Sequence, residues 1–205
     1  SRQQTIRSTI QWSYDLLDRW EQRLFRLCSV FVGGFTLQTV EAVCTTLYGG
    51  DSKDMGSVLD GIDSLVNKSL LQPPRQEDDE EEQRLSMLET MREYGLECLQ
   101  ENAEAENAHR MHARYYLDLV EEAEPYLKSA KQVRWLARLT REQENMRTAL
   151  HWAIEYRETE FALRFCTALW RFWLNRGELR EGRGWLEAAL SFPVDQMEMK
   201  LRARA

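Results

Sequence analysis

Residues 69–87 read Ser69-Leu70-Leu71-Gln72-Pro73-Pro74-Arg75-Gln76-Glu77-Asp78-Asp79-Glu80-Glu81-Glu82-Gln83-Arg84-Leu85-Ser86-Met87. The helical spacing of apolar residues, which runs through most of the chain, stops here. Ser69-Leu70-Leu71-Gln72 and Arg84-Leu85-Ser86-Met87 are two short candidate strands, and the loop between them holds Pro73, Pro74 and the acidic run 77–82. A short hairpin that follows three or four helices is the order of a winged helix-turn-helix.

Upstream, residues 5–17 place Ile6, Ile10, Tyr14 and Leu17 on one stripe, and 21–32 place Leu24, Leu27, Cys28 and Phe31 on another. Gly33-Gly34 is expected to end the second helix, because glycine tolerates the left-handed conformation of a helix end. Thr36 can cap a third helix with Val40, Val43, Cys44 and Leu47 inward, ended by Gly49-Gly50. A fourth, 54–68, carries Val58, Leu59, Ile62 and Leu65. After the hairpin comes 89–100, with Met91, Tyr94, Leu96 and Leu99 apolar; the small, polar stretch 101–107 reads as a domain joint. Only helices follow, near 108–127, 130–139, 142–156, 160–176 and 178–191, and their short loops predict antiparallel neighbours. The expected fold is mainly all-α: a winged helix with one short hairpin over 1–104, then antiparallel tetratricopeptide-like helices over 105–205, the start of a sensor array.

The repeat expectation rests on 169–193. Leu169 stands eight residues before Gly177 and Ala189 twelve after it, the spacings of the tetratricopeptide pattern. The glycine lets the chain turn back sharply and the small alanine lets two helices touch. Trp173 fills the aromatic place of the first helix and Gly182 a place where alanine is usual, while Pro193 falls one residue early. One repeat cannot bury its own faces, so more are expected beyond Ala205.

Composition bounds the function. No apolar run is long enough for a membrane span, and the start Ser1-Arg2-Gln3-Gln4 has no signal region. That start, and an uncapped end in helical pattern at 200–205, read as cuts inside a longer protein. Cys28, Cys44, Cys98 and Cys166 are far apart in apolar helical pattern, which predicts buried free thiols and fits a cytoplasmic protein. Residues 1–104 carry ten Lys and Arg against nineteen Asp and Glu; residues 105–205 carry seventeen against fifteen, for a net charge of −7. An acidic first half repels nucleic acid.

Four strings carry a family resemblance: 4–17 (Gln-Thr-Ile-Arg-Ser-Thr-Ile-Gln-Trp-Ser-Tyr-Asp-Leu-Leu), 24–35 (Leu-Phe-Arg-Leu-Cys-Ser-Val-Phe-Val-Gly-Gly-Phe), 65–71 (Leu-Val-Asn-Lys-Ser-Leu-Leu) and 87–94 (Met-Leu-Glu-Thr-Met-Arg-Glu-Tyr). They resemble the winged-helix domain of bacterial signal-transduction ATPases with numerous domains, of the NB-ARC type. Within these, the likeness is to antibiotic-pathway and LuxR-type transcriptional regulators. The resemblance implies a preceding nucleotide-binding core that holds ADP or ATP, a winged helix that clamps that core at rest, and repeats that sense an inducer. This chain has no glycine-rich phosphate loop, so no cofactor and no enzymatic activity are expected of it alone. In apoptotic and plant relatives a Met-His-Asp motif occupies the place of Met87-Leu88-Glu89, and its histidine meets the β-phosphate. Leu88 has no donor, so any contact of Met87, Leu88 and Glu89 with the core must work by packing or through Glu89. Partners implied are the protein's own nucleotide-binding domain, further repeats and an inducer.

Winged helices also bind DNA, through a basic recognition helix and wing. The third helix has Glu41 and no Lys or Arg, and the wing tip is acidic, so DNA is not the expected partner. The run 77–82 reads as a solvated loop, with a docking surface for a basic partner as the rival. His109 and His112, with Glu106, have helical spacing for a metal, but His151 is remote and nothing completes a ligand set. Glu121-Glu122 and Glu142-Glu144 read as exposed helix charges. Trp170, Phe172, Trp173 and Trp185 read first as core; the rival is a protein or ligand contact at Trp170, Trp173 and Trp185.

Overall fold

The computed structural model describes residues 2–49, 56–74 and 83–192. Packing divides the chain into two units, Ser1–His112 and Ala113–Ala205. The division falls inside one helix, α6 of the numbering below. No described helix is long and apolar enough to cross a membrane.

Asp18 sets the frame of the first unit. Its backbone is extended after α1 (Arg2–Asp15), and its carboxylate accepts the Glu21 N–H at 2.8 Å while Glu21 Oε2 accepts the Asp18 N–H at 2.8 Å. This reciprocal box starts α2 (Arg19–Cys28). Leu24, Phe25, Leu27 and Cys28 are fully buried, and α2 packs against α3 (Leu37–Tyr48), α4 (Val58–Asn67) and α5 (Glu89–Glu101). Burial of each such side chain contributes roughly 1.5–3 kcal/mol, so α2 is the axis of this core. Helix α1 lies on α5, with the Tyr14 ring 5.5 Å from Phe25 and 5.6 Å from Tyr94.

Two local expectations are corrected. Helix α2 ends at Cys28 rather than running to Gly33: the Ser29 hydroxyl takes the Arg26 carbonyl at 2.6 Å, a carbonyl the next helical turn would need. Gly33 and Gly34, at φ 76° and 96°, then turn the chain into β1 (Phe35–Thr36), a strand the apolar pattern did not show. β1 pairs antiparallel with β2 (Arg84–Leu85), Phe35 against Leu85 and Thr36 against Arg84. The expected strand 69–72 contributes only a bridge, Gln72 to Ser86. The cause is the end of α4: Ser69 is left-handed at φ 59°, and the Leu70 and Leu71 N–H groups both return to the Leu65 carbonyl, so 69–71 close a helix. The all-α class with a short hairpin holds, with the middle strand flanked by β1 and Gln72. The acidic run 77–82 lies outside the described residues.

The helix α6 (Ala105–Ala123) leads into a 3-10 turn, Glu124–Lys128, and then α7 (Gln132–Arg141), α8 (Gln143–Glu155), α9 (Thr159–Arg176) and α10 (Leu179–Leu190). Trp152 meets Phe161 with ring centroids 5.8 Å apart across the α8–α9 turn, and α10 packs on α9 and α8. Gly177 takes φ 74° and the Glu178 N–H bonds the Trp173 carbonyl at 2.9 Å, ending α9 in the left-handed turn its sequence predicts. Leu169 and Ala189 are buried. Arg147 binds Glu181 through two N–H groups at 2.7 and 2.6 Å, tying α8 to α10, and Gln143 reaches Glu178 at 2.8 Å. Pro193 lies outside the described residues. All four cysteines are free and buried.

Candidate functional site

The helix-turn-helix face is the first candidate. In such a motif the second helix, the one before the hairpin, reads the major groove. Here that helix is α4 rather than the third helix, α3, expected from the sequence, because β1 lies between α2 and α3 and makes α3 the first helix of the motif. The solvent side of α4 presents Leu59, Asp60, Asp63 and Asn67, and the helix Val58–Asn67 contains no Lys or Arg. The cation that follows, Lys68, is exposed but engaged: its ammonium and the Ser64 hydroxyl both donate to Glu21 Oε1. Glu21 is only 7% exposed. Burial pushes its carboxyl up, but hydrogen bonds from Lys68, Ser64 and the Asp18 N–H outweigh that and hold it below the ordinary carboxylate range. One carboxylate thus helps start α2 and pins α4 to it, and in doing so pairs the lysine that follows α4.

The segment Met87-Leu88-Glu89 leads from β2 into α5. Leu88 is the residue before the first helical turn, extended at φ −62° and ψ 141°, with no side-chain cap, and it is 46% exposed. Glu89 is engaged by Arg92 through two N–H groups at 2.7 and 3.0 Å, which holds its carboxyl below the usual range. Of the three residues, Leu88 is therefore the one that presents an unbound face. Its position also makes a clean probe. An aspartate there has the backbone geometry of a helix cap, so Leu88→Asp is expected to stabilise the protein by about 1 kcal/mol, read as a raised thermal midpoint. A lowered midpoint would mean that the exposed leucine packs on something.

Above the sheet edge, Gly33, Gly34, Gln72, Pro73, Arg84, Leu85 and Ser86 line a cavity of about 250 Å³. Arg84 spans it to the Gly34 carbonyl at 2.8 Å. Sites for drug-sized ligands start at roughly 300 Å³ and are mostly apolar, so this one suits a smaller or partial guest.

The tryptophans separate. Trp173 is core, against Gly182; Trp185 is half-buried and donates to Glu181 at 3.3 Å; Trp170 is 42% exposed with the Arg171 guanidinium 4.1 Å from its ring centre. His112 is buried with its ring 5.0 Å from Phe31, and His151 is exposed 3.9 Å from Glu155. Among the described residues no group of three or more His, Cys, Asp or Glu is placed to hold a metal ion. Glu121 pairs with Arg164 at 2.7 and 2.8 Å and Glu144 with Arg147. Glu142, expected as an exposed charge, is buried and accepts the Tyr116 hydroxyl at 2.8 Å and the Asn145 amide at 2.9 Å. The sequence reading missed it, along with Glu21 and Arg26. The one signal for Arg26 is its place among Leu24, Phe25, Leu27 and Cys28 at the end of α2.

No family model matches the chain, and no solved structure matches it. The whole chain is 39% identical, over 207 residues, to proteins of Mycobacterium tuberculosis and Mycobacterium bovis provisionally named HTH-type transcriptional regulators, and it covers 22% of their length. A second Mycobacterium tuberculosis protein, uncharacterized, is 32% identical over 106 residues, which is 51% of this chain and 25% of that protein. The chain therefore spans about a fifth of the length of the named relatives, and it is similar along its entire length to a segment of an HTH-type transcriptional regulator.

Proposed function

We propose that this chain is a regulatory and protein-interaction segment of a transcriptional regulator, in which the winged helix restrains an adjacent nucleotide-binding core and the second unit begins an inducer-sensing arm. The observation that carries this is the charge of α4, whose solvent side offers Asp60 and Asp63 and whose neighbouring Lys68 is committed to Glu21. Phosphate contacts supply most of the affinity of a groove-reading helix, and carboxylates in that place oppose them. Exposed Leu88 gives the winged helix an apolar point of contact for a neighbouring domain, in place of a hydrogen-bonding one. The STAND, NB-ARC and tetratricopeptide assignments rest on the resemblance of residues 4–17, 24–35, 65–71 and 87–94 and on the spacing around Gly177.

The second reading is a winged-helix module that itself reads DNA. It is favoured by the helix-turn-helix in the name of the relatives. Base readout separates the two. Incubated with random duplexes and carried through rounds of selection, the protein is expected to enrich no base sequence. An enriched motif that disappears in Asn67→Glu, on the exposed side of α4, would replace the regulatory reading with the DNA-reading one.

A further inference from the structure

Between Glu124 and Glu142 the chain contains no acidic residue and five cations: Lys128, Lys131, Arg134, Arg138 and Arg141. The last four stand three, four and three residues apart, the spacing of one helix face, and over ten residues at 1.5 Å each they form a row about 15 Å long. Lys131, Arg134 and Arg141 are exposed and Arg138 half-buried. Two of the four are held in place. Tyr126 and Trp135 stack in parallel, centroids 5.2 Å apart and planes 4° apart, with the Lys131 ammonium 5.2 Å from the centre of the first ring and the Arg138 guanidinium 5.0 Å from that of the second. Cation–π contacts of this kind fix charges that would otherwise wander, so less freedom is lost when they meet a partner. Arg134 and Arg141 have interactions within the chain as well.

Helix electrostatics explains half of the row. Arg138 and Arg141 lie in the last turn of α7, where cations are favoured. Lys131 and Arg134 lie at its start, where the helix dipole disfavours them, and Lys131 is offset there by its contact with Tyr126.

We propose that this face of α7 is a docking surface for the phosphate backbone of double-stranded DNA, bound without regard to base sequence. An evenly spaced row of cations, three of them planar guanidinium forks, matches a linear polyanion of phosphates. The aromatic rings of the face are stacked on each other rather than offered to bases, which favours a duplex over a single strand. The proposal rests on the reading of the chain as part of a transcriptional regulator, and it supplies a DNA contact that does not pass through α4.

The test is fluorescence anisotropy of the 205-residue protein with two labelled 30-base-pair duplexes of unrelated sequence, from 50 to 200 mM NaCl. Both duplexes are expected to bind alike. With about four phosphates engaged, the slope of log K against log salt is about −3.6, or roughly a hundredfold loss of affinity across that range. Arg134→Gln/Arg141→Gln, which leaves the Tyr126–Trp135 stack untouched, is expected to flatten the slope by about 2. If that double variant loses its helical signal, Arg134→Gln alone should flatten it by about 1. No binding at 50 mM, an unchanged slope in a folded variant, or poly-glutamate of equal charge binding more tightly than the duplex would each overturn the proposal. A base motif that depends on α4 would instead sink the regulatory reading and leave the α7 slope as a separate result.

Discussion

Glu104→Ala is expected to destabilise the first unit by about 3 kcal/mol, a large share of the stability of any small domain. The reason is the charge it leaves behind. Arg26 is 5% exposed in the last turn of α2. Its Nε and Nη2 groups both donate to Glu104 at 2.8 Å, and Nη1 donates to the Tyr14 hydroxyl at 2.6 Å. Burial opposes the charge on the guanidinium, but the bonds to Glu104 and Tyr14 more than offset this, so it stays protonated. Unlike a buried lysine, it cannot escape by losing its proton. Glu104 is itself held in place: its N–H bonds the Leu99 carbonyl at 3.0 Å after left-handed Ala103, in the turn between α5 and α6. Loss of one partner of a buried pair costs roughly 3–5 kcal/mol, and the partial exposure of Glu104 puts this case at the lower end. Replacement of both groups, Arg26→Met with Glu104→Leu, should cost far less than Glu104→Ala, since an apolar pair of similar size leaves no stranded charge. Urea denaturation followed by circular dichroism reads both. A loss under 1 kcal/mol for Glu104→Ala would mean that water already solvates Arg26.

That triad shows what sequence reading reached and what it did not. Short-range chemistry was readable. Thr36 caps α3 as its position before an apolar run predicts, accepting the Thr39 N–H at 3.2 Å, and Gly177 ends α9 as its spacing predicts. Such features need only a few neighbouring residues. The misses need partners far along the chain. Arg26 and Glu104 are 78 residues apart, and nothing near either announces the other. β1 has two residues and exists through its pairing with Arg84 and Leu85. Ser69-Leu70-Leu71 has the composition of a strand, but a left-handed serine lets its amides return to Leu65, and local helix closure wins over the ladder. The recognition helix is α4 rather than the third helix because two-residue β1, which leaves no apolar signature, separates α2 from the motif α3–α4. The acidity of the surface was readable at either helix, so the argument about charge survives the shift to α4. The surfaces were least readable. Leu59 shares the apolar spacing of α4 and is exposed, and Trp173 and Trp170, three residues apart on α9, end up in core and solvent.

Gly182→Leu is expected to cost about 3 kcal/mol in the second unit, at the upper end of what overpacking does. A Cβ at position 182 would lie 2.4 Å from Trp173 Cε3 and 2.6 Å from Cδ2, and these are atoms of a rigid indole in the core rather than the tip of a flexible chain. The sequence reading took Gly182 as a stand-in for the alanine usual at that place. The distances say that even alanine does not fit unless α9 and α10 part. This makes the sign of Gly182→Ala informative. Helix propensity alone favours alanine over glycine by about 1 kcal/mol. Gly184, two residues on, has nothing within 4 Å of its would-be Cβ, so Gly184→Ala should show that gain undiminished. Gly182→Ala should instead lose stability, because an overlap of this depth with a buried ring outweighs the propensity term. Trp173→Ala alone should cost roughly 3–5 kcal/mol for the space it empties. Combined with Gly182→Leu, the two changes fill each other's defect, so the double variant should be more stable than the sum of the singles by about 2 kcal/mol. Denaturation midpoints of the five variants decide it. Equal gains for Gly182→Ala and Gly184→Ala, with additive losses in the double variant, would mean that Trp173 moves aside at little cost and that α10 is not seated on it.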